Sequence, residues 1–424
     1  MKIILQEVMV ISPGSKHHMK VRDILIENGM ITKTDDPGKI KDSSAKVIHG
    51  KNYHVSSGWF DVHVNFREPG LEHKETIDSG CKAAAHGGFT GVLLMPSTEP
   101  AISSKTSVDF ILKRAAGLLV DVIPAGSLSV NREGKDLSEM YDMAQSGTKV
   151  FTDDKRAVQD AGLMTRALQY TKTFGAKIFS FAEDKSIAGK GQIHESSNSV
   201  LLGLKGIPSI AEEVMINRDL YLAAYTESPI HFSTISTAGS VDLIRKAKAN
   251  GMKITADVSA LHLLLDDSSL SGFDSVFKVK PPLRSASDIR ALKDGLKDGT
   301  IDCITSDHCP EDVENKKKEF ELAAYGATGL ETAFAAARTA TKDMLSIGEL
   351  IAKFTTHARS CAGLKNDIVE EGHEANLTVF DPDKKWTVDL KGLHSKSMNN
   401  PFIGKDLIGK AIAVINNEKL ELID

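Results

Sequence analysis

The chain has 424 residues, 41% of them hydrophobic, and a formal net charge of −5, so it can bury a large core but has no electrostatic reason to bind nucleic acid or an anionic membrane. No apolar run reaches the length of a membrane span. Cys81, Cys303, Cys309 and Cys361 are widely spaced, as expected of reduced thiols in a cytoplasmic protein rather than of a disulfide framework or a zinc knuckle.

The N-terminus enters a strand-like pattern directly, with no secretory apolar segment. Lys2–Val10, Val21–Glu27 and Met30–Thr32 read as β-strands, broken by Ser12-Pro13-Gly14 and by the hairpin signal Asn28-Gly29; Lys46–Val55 reads as another. From about residue 56 the pattern changes to strands alternating with helices. Trp59–Val64, Gly91–Met95, Asp121–Gly126, Lys149–Phe151, Lys177–Phe181, Pro229–Phe232, Lys253–Val258 and Asp302–Ser306 are eight short apolar runs, and helical stretches such as Thr76–His86 and Ala161–Phe174 separate them. This spacing predicts an α/β fold built on a (β/α)8 TIM-like barrel. A doubly wound sheet is the rival, but the chain has no Gly-rich phosphate turn of the kind that fold uses. The charged stretch Asp312–Tyr325 reads as a mobile loop. Asn376–Phe380, Trp386–Asp389 and Lys410–Ile415 read as strands again. The expected organisation is a β-sandwich from residues 1–55 and 365–424 beside a barrel of residues 56–364.

Reactive groups in such a barrel stand at the C-terminal ends of the strands. Those ends carry Asp61, His63, Asn65 and Arg67 after the first strand and Ser97 after the second. The fourth is followed by Asp153 and Asp154, the fifth by Phe181 and Glu183, the sixth by Thr234, and the eighth by Asp307, His308 and Cys309. His63 and Asn65 are two residues apart, which on a strand puts both side chains on one side.

Through Gly58–Gly70, Met95–Pro100, Phe151–Asp154, Ala182–Lys185, Ser236–Arg245, Lys278–Arg284, Asp298–Pro310, Gly326–Thr332 and Ser395–Gly404, the sequence resembles the dihydroorotases of the amidohydrolase superfamily. The resemblance implies cyclic amide chemistry between N-carbamoyl-aspartate and dihydroorotate, a step of pyrimidine synthesis. It also implies a metal centre that polarises the amide carbonyl and activates water, with an Asp on the eighth strand moving the proton.

Carried over position by position, the family's ligand pattern is incomplete here. His63, Asp307 and the strand-four Asp (Asp153, with Asp154 beside it) are kept, while Asn65, Phe181 and Thr234 stand where the family has histidines. Phe181 has no donor atom, and Thr234 and Asn65 offer only neutral oxygens, so the resemblance implies at most one weakly held zinc ion. Among the substrate residues Arg67 is kept, a planar fork for a carboxylate. Ser97 and Lys280 replace asparagines, and Glu311 replaces a histidine. The two readings are a catalytically impaired homologue serving as structural partner of aspartate carbamoyltransferase, and an active dihydroorotase or related cyclic-amide hydrolase with one metal on His63, Asp153 and Asp307. A metal-free binder of a small dicarboxylate through Arg67 is a third. Without a cation, Asp153 and Asp307 would repel, so one of them is expected to be protonated or paired with Lys280 or Arg67. A homo-oligomer is also expected.

Overall fold

A computed structural model describes residues 1–423. Eight parallel strands form the barrel, at Trp59–Val64, Phe89–Leu94, Asp121–Pro124, Val150–Phe151, Lys177–Phe181, Ile230–Ser233, Ile254–Ser259 and Cys303–Thr305. All eight coincide with apolar runs in the sequence. The first three and the last five are each paired continuously, and single bridges close the ring at Gly126 to Phe151 and Val64 to His308. Both faces of a barrel strand are covered, which explains near-continuous hydrophobic runs instead of alternation. Two of the helices between them show the side-chain caps their sequences offer. Thr76 and Ser104 each accept a hydrogen bond from a backbone N–H in the first turn of the helix they open, at Ser79 and Ser107.

Strands from both termini join in one eight-stranded sheet beside the barrel, as the resemblance implies. A bend in the first strand, Lys2–Ile11, gives this sheet its curl. Its register slips between Leu5 and Val8, where Glu7 is left-handed with φ 55°. The half before the bulge pairs with Lys46–His49 and the half after it with His54–Ser57. The sheet thereby encloses its own core, including Ile3, Val10, Ile26, Val55 and Val379. The single run expected over Lys46–Val55 is therefore two strands. Conversely, the two runs expected at Asn376–Phe380 and Trp386–Asp389 are one bulged strand, Leu377–Thr387. Gly58 carries the chain from sheet to barrel. A Cβ there would lie 1.9 Å from Thr90 Oγ1 and 2.0 Å from Asn376 Oδ1, so only glycine fits.

The Asp312–Tyr325 stretch is more fixed than its composition suggests. Lys316 donates to the carbonyls of Ala324 and Gly326 at 3.0 and 2.9 Å, and Lys278 to those of Phe320 and Glu321 at 2.7 and 3.0 Å. Burial pushes the Lys316 ammonium down to about 8, so it is held by these carbonyls at the expense of hydration. Lys316→Ala should release the loop; limited proteolysis would then cut within residues 312–326 several-fold faster than in the unaltered chain.

Candidate active site

The C-terminal mouth of the barrel opens into a cavity of about 440 Å³ lined by Arg67, Ser97, Asp154, Lys155, Lys280 and Asp307, among others. Backbone at this mouth is left-handed at several site positions, with φ of 63° at Arg67, 54° at Asp154 and 51° at Asp307 in the cavity lining and 50° at Thr234. Such conformations cost non-glycine residues energy, most of all β-branched Thr234, and persist where surrounding structure imposes them.

His63 is buried, and its Nε2 lies 2.7 Å from Asp154 Oδ1 and 3.6 Å from Asp307 Oδ1. Asp154, not Asp153, is thus the strand-four carboxylate at the site. Asp153 turns away, accepting from the Ser129 N–H at 2.9 Å and the Ser129 hydroxyl at 2.5 Å. Adjacent residues at a strand end point to opposite sides, and the left-handed turn at Asp154 directs its side chain inward. Burial alone would raise the Asp154 carboxyl, but the hydrogen bond to His63 and the charges of Lys155 and Arg132 hold it well below the usual range. Asp307 is pushed up by burial, against the pull of Lys155 and His63.

The expected substrate residues are largely engaged within the protein. Arg67 donates through Nη2 to Glu311 at 3.0 Å and to Cys309 Sγ at 2.9 Å and through Nε to the Pro310 carbonyl at 3.2 Å, so two of its three nitrogens are engaged within the protein. Lys280 pairs with Glu183 at 2.7 Å. Ser97 donates to Asp154 and accepts from Arg132, in a chain running from Arg132 through Ser97 and Asp154 to His63. The expected pairing of Asp307 with Lys280 or Arg67 is not what forms.

The partner of Asp307 is Lys155, the residue after the Asp153-Asp154 pair. Its Nζ lies 2.8 Å from Asp307 Oδ1, donates to Thr234 Oγ1 at 3.0 Å and sits 5.2 Å from the centre of the Phe181 ring. The ammonium therefore contacts side chains at three of the family's metal-ligand positions at once.

The residues present do not fit a zinc ion. Among the described residues no group of three or more His, Cys, Asp or Glu is placed to hold a metal. The lone imidazole, His63, is committed to Asp154. A dication about 4 Å from the Lys155 ammonium would meet repulsion of about 8 kcal/mol at an effective dielectric constant near 20.

The other histidines lie outside this constellation. His231 is sealed in the barrel against Asp257 and Thr255, both at 2.8 Å. His262 faces the Pro281 carbonyl at 3.1 Å, and burial pushes its imidazole down to about 4.

A family model described as "Dihydro-orotase-like" matches residues 54–240. Dihydroorotase of Pelotomaculum thermopropionicum is 40% identical, with 100% of this chain and 99% of the relative covered. Dihydroorotase of Geobacter metallireducens is also 40% identical, with 99% of each covered. Among solved structures, an L-hydantoinase from Arthrobacter aurescens superposes with a TM-score of 0.86 at 22% identity, covering 100% of this chain and 97% of that one. A dihydropyrimidinase from Brevibacillus agri gives 0.82 at 20% identity, covering 100% and 95%. These two share the fold.

Proposed function

Because the chain belongs to the dihydroorotase family, as 40% identity over its whole length shows, we propose that it is a pyrimidine-biosynthesis homologue impaired in metal-dependent cyclic amide chemistry, and that it serves as structural partner of aspartate carbamoyltransferase. The observation that carries the reading is the state of the ligand ring. His63 is bonded to Asp154, Asp307 is held by Lys155, and Phe181 and Thr234 supply no metal-binding group. A proton shuttle at Asp307 needs a carboxylate free to approach substrate, and the Lys155 ammonium competes for it. Loss of the ligands leaves fold-bearing features such as the Gly58 crossing and the barrel seam intact, as a role in assembly requires.

Two measurements test this. The chain purified without chelator should carry zinc far below one ion per molecule and show no turnover of dihydroorotate above background. Mixed with aspartate carbamoyltransferase from the same source, it should co-elute from a size-exclusion column at micromolar concentration. Stoichiometric zinc with turnover that His63→Ala abolishes would establish the active single-metal enzyme instead, and independent elution would remove the partnership.

A further inference from the structure

We propose that Lys155 is a resident cation that takes the place of the metal, so that the site is charge-balanced by the chain itself and closed to divalent ions. The inference rests on the reading that the site no longer works through a metal, but it makes a separate claim. Loss of histidines alone would leave an empty, weakly binding site, whereas here a side chain fills the position.

Three independent contacts carry the proposal. The Lys155 Nζ is 2.8 Å from Asp307, donates to Thr234 at 3.0 Å and lies over the Phe181 ring at 5.2 Å. A carboxylate, a hydroxyl and an aromatic face are each surfaces that accept an ammonium. Phe181 and Thr234 are poor metal ligands but good neighbours for a lysine head group, so the substitutions are consistent with one another and with Lys155. Asp154 and Asp307 both approach His63 Nε2, at 2.7 and 3.6 Å, and two carboxylates gathered on one imidazole need a further positive charge nearby. Lys155 supplies it. Its side chain is only 16% exposed, so the charge is fixed in the mouth and not a solvated lysine that happens to lie nearby.

The proposal predicts that restoring the histidines does not by itself restore the metal. With Asn65→His, Phe181→His and Thr234→His combined and Lys155 retained, zinc titrated into the protein should bind weakly or not at all. Adding Lys155→Ala to that triple variant should tighten zinc binding about a hundredfold or more, since it removes a like charge from beside the ion. Isothermal titration and zinc content after dialysis read both. Equal zinc affinity with and without Lys155 would overturn the proposal.

A second experiment avoids any variant that fails to fold. Lys155→Met in the otherwise unaltered chain should lower the melting temperature by several degrees, and Asp307→Asn added to it should recover most of that loss. No change in melting temperature for Lys155→Met would also overturn the proposal. Either failure leaves the impaired-enzyme reading standing, because that reading fails only if the unaltered chain holds zinc and turns substrate over.

Discussion

Asp61→Ala is expected to destabilise the protein by about 3–6 kcal/mol, because three buried donors converge on this one carboxylate and would be orphaned together. Asp61 is fully buried and accepts from the His63 N–H at 3.0 Å, the Ser306 N–H at 2.9 Å and the Thr305 hydroxyl. Those donors lie on the first and last strands of the barrel, where the backbone pairs through the single bridge Val64 to His308. The side chain therefore staples the seam that closes the ring. Burial pushes the Asp61 carboxyl up, so its charge opposes folding while its hydrogen bonds favour it. This fixes the order of two variants. Asp61→Asn removes the buried charge and keeps one acceptor, and should cost roughly half as much as Asp61→Ala. With total stabilities of about 5–15 kcal/mol for ordinary domains, the alanine variant should melt far below the unaltered chain in a thermal scan by circular dichroism. A loss under about 1 kcal/mol for Asp61→Ala would mean that the seam is held elsewhere.

The same neighbourhood shows what could be read from the sequence. The eight barrel strands are legible because each is an apolar run at βα spacing, and burial on both faces leaves that mark whatever the tertiary detail. The losses at Asn65, Phe181 and Thr234 are legible because each is a change of side-chain chemistry at a position fixed by flanking motif. The choice between Asp153 and Asp154 is not legible. It depends on a left-handed turn, φ 54° at Asp154, that the barrel mouth imposes on residues with no strong preference for it. Lys155 is missed for a related reason. A lysine after two aspartates reads as a solvated surface charge, and only the approach of Asp307 and Thr234, from strands 79 and more residues away, gives it a place. Arg67 shows the converse: its identity is plain, but that its Nη2 donates to Glu311, 244 residues on, is not legible from the motif.

The second large effect lies deeper, between the sixth and seventh strands. Asp257→Asn should cost about 3–5 kcal/mol near pH 6, the range for breaking a buried ion pair from one side. His231 and Asp257 are both fully buried and 2.8 Å apart, with the imidazole stacked on Phe179 at 3.9 Å. Burial alone would lower the His231 imidazole; the hydrogen bond to Asp257, with help from Cys361, outweighs it and raises it to about 9. A histidine raised in the folded state contributes stability that is complete below its unfolded value of about 6.5 and is lost as pH rises through about 9. The difference between the unaltered chain and Asp257→Asn should therefore be largest at pH 6 and shrink steadily towards pH 10, other titrating groups cancelling in the comparison. Urea unfolding at three or four pH values measures it, and a difference that stays constant with pH would show that His231 is neutral in the folded protein. Replacing both partners by apolar residues, His231→Phe with Asp257→Leu, removes the pH dependence, since it leaves no charge uncompensated, but still costs stability because the buried Thr234 N–H and Thr255 hydroxyl lose their partners. Asp257 also accepts the Thr234 N–H at 2.8 Å, so the pair is tied to the barrel mouth, and the double variant, which leaves that buried donor without an acceptor, should also loosen the Lys155 contact to Thr234.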